Sequence, residues 1–166
     1  MLKQLTFLFI FLFSSGVAIA QYLEFDDFAK LLDIAENRAE VNKYMVMNGF
    51  EFYNLEYIID DGDDEDDTTH YKVDYFKKMH DDEYFIRVIG DTNEDIYTIM
   101  EFSDNEDRSM YFASVLASEG LEPVDQWEKR DGSEGFEFET DDYMMTISKV
   151  PDNDASIRYH FYISSY

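Results

Sequence analysis

Asn48-Gly49-Phe50-Glu51 and Glu119-Gly120-Leu121-Glu122 read alike: a polar residue, a glycine, an apolar residue, an acid. Each follows a run with apolar residues at three- and four-residue spacing, and each precedes segments that alternate with period two. Upstream of the first, Phe25, Phe28, Leu31, Leu32, Ala35 and Ala39 fall on one helical face, and Val41, Tyr44 and Met45 carry the pattern to Gly49. Asp26 and Asp27 sit in the first turn, where the helix dipole favours acids, and the glycine supplies a left-handed stop. The stretch around Glu36-Asn37 is compatible with one long helix or two short ones. Upstream of the second, Ser103-Asp104-Asn105 is an N-cap cluster, and Met110, Tyr111, Ala113, Leu116 and Ala117 suit a helix ending at Glu119-Gly120.

Downstream of Gly49, Tyr53, Leu55, Tyr57 and Ile59 share one parity. Tyr71, Val73 and Tyr75 then alternate with Lys72, Asp74 and Phe76. Tyr84, Ile86 and Val88 alternate with Phe85, Arg87 and Ile89, and Ile96, Thr98, Met100 and Phe102 with Tyr97, Ile99 and Glu101. Downstream of Gly120, further strands are expected from Leu121 to Lys129, Gly135 to Thr140, Tyr143 to Val150 and Ser156 to Ser164. The expected class is α+β, with two tandem repeats, each a helix plus an antiparallel meander. The first repeat spans residues 21–103 and carries an acidic loop at 60–67, and the second spans 104–166. Helices would cover one face of a curved sheet, leaving the other open.

This element order resembles the β-lactamase-inhibitor-protein-like architecture, in which tandem helix-plus-four-strand repeats form one continuous sheet. The likeness rests on the Gly49 and Gly120 helix ends and the meanders after them. It implies a way of binding, in which a concave sheet face grips a protein partner, often through aromatic residues. The inhibitor's disulfides have no counterpart in a chain without cysteine, and no loop matches its enzyme-blocking segment. No functional residue is therefore carried over.

The chain opens Met1-Leu2-Lys3-Gln4, continues apolar from Leu5 to Phe13 apart from Thr6, and ends this stretch at Ala18-Ile19-Ala20. A basic start, a short apolar centre and a small-x-small end read as a secretory signal peptide, residues 1–20, cut after Ala20. The apolar stretch is too short to span a bilayer, so a soluble periplasmic or secreted protein is expected. Gln21 rather than cysteine follows the cut, which removes the usual lipid attachment point. With a net charge of -25, the chain repels nucleic-acid phosphates and anionic headgroups. Its 45% hydrophobic content still supports a packed core, which must hold without disulfides.

Catalytic patterns fail on context. Asp131-Gly132-Ser133-Glu134-Gly135 approaches a nucleophile elbow but lacks its first glycine and lies between two strands, so Asp131-Gly132 reads as a hairpin turn. His70, His80 and His160 lie far apart, with no cysteine partner for zinc. Asp60, Asp61, Asp63 and Asp64 offer hard oxygens for calcium, yet EF-hand spacing is not met, because Tyr57 and Ile59 fall on its first two ligand positions. Asp91-Thr92-Asn93-Glu94-Asp95 places Ile96 where the turn glycine belongs.

The open face carries the function expected here. If Tyr71, Val73, Tyr75, Tyr84, Ile86, Val88, Ile157, Tyr159, Phe161 and Ile163 meet the helices, then Lys72, Phe76, Arg87, Tyr97, Arg158, His160 and Tyr162 point outward. Arginine among aromatic rings is the mixture that concentrates binding energy in protein interfaces. The parity of Trp127 stays open, because Pro123 can bulge its strand. The chain is thus expected to be a non-enzymatic, cofactor-free exported module that binds another envelope or extracellular protein. The alternative is a secreted calcium- or cation-binding protein using the Asp-rich loop at 60–67.

Overall fold

The computed structural model describes residues 22–61, 68–81, 83–91, 96–152 and 156–166. The leader expected at 1–20, Asp63 and Asp64 lie outside them. Two helices come first, α1 (Phe25–Ile34) and α2 (Arg38–Met47). Asn37 divides them: its side chain accepts from the Ala39 and Glu40 amides and starts α2 afresh. Glu24 and Asp27 cap α1 reciprocally. Strands β1 (Phe50–Asp61), β2 (Thr68–Lys78), β3 (Phe85–Asp91) and β4 (Tyr97–Ser103) follow. Helix α3 (Glu106–Ser118) leads to β5 (Asp125–Glu128), β6 (Glu134–Glu139), β7 (Tyr143–Pro151) and β8 (Ile157–Ser165).

Both glycine stops adopt the left-handed conformation, with φ of 78° at Gly49 and 79° at Gly120. After α3 the Leu121 amide donates back to the Leu116 carbonyl, which closes the helix end and turns the chain toward β5. No helix among the described residues is long and apolar enough to cross a membrane.

The strands form one antiparallel sheet in the order β1-β2-β3-β4-β8-β7-β6-β5. Each meander pairs in sequence, and the two join where β8 lies against β4. Residues opposite one another in an antiparallel ladder share a face. The pairs Phe76–Ile86, Val88–Ile99, Ile99–Ile163, Met145–Ile163 and Ile147–Phe161 therefore lie on one side of the sheet. These residues join Phe28, Leu31, Val41, Met45, Phe112 and Leu116 of the helices in a single core cluster.

Register corrects three of the expected outward residues. Phe76 is 1% exposed and part of the core. Lys72 shares its parity on β2, four residues away, and opposes Gly90 on β3, which in turn opposes Tyr97 on β4. Tyr71, Val73 and Tyr75 accordingly take the opposite face. The charges of β2 hid this arrangement because they are neutralised where they lie. Asp74 receives Arg38 Nε at 2.9 Å and its second guanidinium nitrogen at 2.7 Å. Lys78 donates to the Asn48 carbonyl at 2.8 Å and sits 4.5 Å from the centre of the Phe50 ring. Burial lowers its pKa below the usual lysine value.

Candidate functional site

The parity opposite the core bears Tyr71, Val73, Tyr75, Arg87, Ile89, Thr98, Met100, Phe102, His160, Tyr162, Ser164, Met144, Thr146 and Ser148, since each opposes another of that set or alternates with a core residue. A cavity of about 890 Å³ lies over this face. It touches Ile58 on β1 and Trp127 on β5, the two outermost strands. Laid flat, the strands between those edges would span about 34 Å at the usual spacing. The sheet therefore curls around the cavity, and the hollow is a trough with both rims raised.

Its lining is apolar and hydroxylic. Met100 and Met144 are flexible, polarisable walls. On the floor Thr98 Oγ1 and Ser164 Oγ share a hydrogen bond of 2.8 Å, and the Tyr162 hydroxyl lies 2.9 Å from His160 Nδ1. At the far rim Trp127 opposes Gly135, and a Cβ on that glycine would come within 2.5 Å of the indole. Glycine lets the ring lie against the strand, which settles the open parity of Trp127. Lys129 Nζ stands 5.0 Å from the indole centre. The Asp131-Gly132 hairpin holds this rim, with Gly132 at φ 87° and the Ser133 amide donating to Asp131 at 2.9 Å. That hydrogen bond keeps the Asp131 carboxyl below the ordinary carboxylate pKa.

Beside the trough runs a cation–aromatic ladder. Arg87 opposes Met100, and its guanidinium carbon lies 4.8 Å from the Tyr75 ring centre and 4.0 Å from that of Phe102. His160 meets Phe102 edge-on at 4.6 Å. Arg87 Nε is buried and has no hydrogen-bond partner among the described residues. Arg158 is bound to Asp152 at 2.7 Å. Of the seven residues read as an outward face, the fold brings Arg87, Arg158, His160 and Tyr162 to this side and puts Lys72, Phe76 and Tyr97 on the other. Tyr71, Tyr75, Met100 and Met144 were missed. Their membership follows from register and curvature, which alternation alone does not encode.

His160 titrates well below an ordinary histidine, at about 4, because burial disfavours its cation and the positive charges of Arg87 and Arg158 add to that. Unfolded chain binds a proton near pH 6.5, and folded chain does not until about pH 4. Stability is therefore lost as pH falls through that window, by up to about 3 kcal/mol for this group. Urea midpoints at pH 7 and pH 4.5 should show a smaller acid loss for His160→Gln than for the parent. Equal losses would contradict the assignment.

Asp60 and Asp61 end β1 as strand residues. Among the described residues no group of three or more His, Cys, Asp or Glu could hold a metal. No family model, curated protein or solved structure matches the chain.

Proposed function

We propose that this is an exported, non-catalytic binding protein that receives a segment of another envelope or extracellular protein in the trough. Two helix-plus-meander halves meet at the β4–β8 seam in this reading, and helices back the sheet on one side so that its hollow face stays open. The observation that carries it is the trough itself, rimmed by Trp127 and flanked by the Tyr75–Arg87–Phe102 ladder. Aromatic and arginine side chains around a concave apolar floor are the elements from which protein interfaces draw most of their energy. Arg87, with its Nε lacking a partner among the described residues, would meet a carboxylate or carbonyl of the bound segment.

The polar groups of the floor favour binding over catalysis. Thr98 and Ser164 hydrogen-bond each other, and His160 faces a tyrosine hydroxyl. Histidine activates a serine or threonine through a ring nitrogen held against its hydroxyl, and among the described residues no such hydrogen bond is seen at His160.

Affinity capture from an envelope extract provides the test, with parent, Arg87→Gln and Met144→Arg chains compared at equal loading. Met144 is an exposed wall residue, so its replacement by arginine leaves the core untouched. The same partner band should fall about tenfold with either variant, a loss of about 1.4 kcal/mol. Equal recovery with both variants, at unchanged melting temperature, would remove the trough as the binding surface.

A further inference from the structure

The two edges of the sheet differ. At one end β5 is only four residues long, follows Pro123, and offers little backbone to a neighbour. At the other, β1 runs for twelve residues and, among the described residues, pairs only with β2. Large apolar side chains remain in solvent along it: Tyr57 is 72% exposed, Tyr53 63% and Ile59 60%. Ile58, on the face opposite Tyr57 and Ile59, is exposed too. The β1–β2 hairpin also outruns the rest of the sheet, because β3 pairs with β2 only between Tyr71 and Lys77, whereas β1 continues to oppose β2 as far as Asp61–Thr68. Its end thus has the adjoining strand on one side alone.

The strand reads Phe-Glu-Phe-Tyr-Asn-Leu-Glu-Tyr-Ile-Ile-Asp-Asp: four acids and no base. In sequence it runs into Gly62-Asp63-Asp64-Glu65-Asp66-Asp67. We propose that the free edge of β1 accepts an extended segment of another protein as a ninth strand, one that alternates apolar residues with lysine or arginine. Backbone pairing would satisfy the unpaired edge groups, and alternate side chains would set Lys or Arg against Glu51 and Glu56. A second copy of this chain fits less well, since it would bring the same acids and a like net charge of -25 to the edge. Strand addition would use the outer backbone edge of β1, the strand whose Ile58 lines the trough rim, and neither reading depends on the other.

The probe is a synthetic peptide of about ten residues, capped at both ends, alternating Lys with Ile or Tyr. It is titrated into the full chain and compared with the same sequence N-methylated at every second residue. The unmodified peptide should bind, more tightly at low salt, and should slow hydrogen exchange in β1. The methylated peptide should not. Tyr57→Lys combined with Ile59→Lys should weaken binding about tenfold or more. Both side chains are solvent-exposed, so folding is expected to survive the change. Met144→Arg in the trough should leave the affinity unchanged. Equal binding of the methylated peptide would reduce the contact to charge alone and overturn strand addition. Concentration-dependent dimerisation that protects β1 without peptide would assign the edge to a second copy, and also overturn the proposal.

Discussion

Arg108→Ala is expected to cost about 3–5 kcal/mol, a large share of the roughly 5–15 kcal/mol that holds a typical domain folded. Arg108 reaches from α3 into the interior, where Nε and a terminal nitrogen grip Glu101 of β4 at 2.8 and 2.7 Å. The same terminal nitrogen donates to the Leu23 carbonyl at 2.6 Å, and the Tyr84 hydroxyl donates to Glu101. Rings of Tyr22, Tyr111 and Phe112 surround the guanidinium at about 5 Å. Glu101 is 1% exposed. Burial pushes its pKa up against the pull of Arg108 and Tyr84, while Arg108 is held protonated by Glu101.

Removing the arginine strands a carboxylate in the core and frees the segment that carries Leu23. Replacing the polar set together (Arg108→Met, Glu101→Leu and Tyr84→Phe) should recover most of the loss, because no uncompensated charge is left. Urea unfolding of the single and triple variants measures both quantities. A single variant within about 1 kcal/mol of the parent would show that this cluster does not hold α3 to β4.

Phe161→Ala should cost about 3–5 kcal/mol. Phe161 stacks face to face on Phe112, with centres 3.8 Å apart and planes inclined by 6°. Its ring also meets Phe28 edge-on at 5.2 Å, and Phe25 at 6.1 Å. One side chain on β8 thus touches both α1 and α3, and truncation opens a cavity that neither helix can fill without leaving the sheet. Phe161→Leu keeps most of the apolar volume and should lose roughly half as much or less. Thermal and urea melts of the two variants provide the comparison. Equal losses would mean that ring stacking, rather than filled volume, dominates at this position.

The elements that were legible in the sequence have local causes. A helix that ends on Gly49 or Gly120 does so because a positive φ suits glycine, and both occur at that conformation. β8 was read with the correct parity because Arg158 and His160 contrast with Ile157, Phe161 and Ile163 along the strand. β2 was not, for an equally physical reason. Both of its parities carry aromatic or aliphatic residues, and the charge that marked one of them as solvent-facing is cancelled by Arg38, 36 residues away in sequence. β4 misled in the same manner at Tyr97, whose ring lies against Gly90 on the neighbouring strand.

Of the sheet face opposite the core, Arg87, Arg158, His160 and Tyr162 were legible from alternation. The trough was not, because it depends on how far eight strands bend, and bending is a property of the assembled sheet. Trp127 shows the limit in one residue. Its neighbour across the ladder is Gly135, and only that register explains why the indole faces the hollow.

Eighth in sequence, β8 lies inside the sheet between β4 and β7. A chain still being synthesised can pair β1 through β4, but its second meander has no strand of the first to pair with until residues 157–165 emerge. Folding must then wait on contacts distant in sequence, which slows closure and leaves apolar strand edges in solvent meanwhile. Loss of the β8 segment should therefore yield aggregates rather than a shorter folded protein.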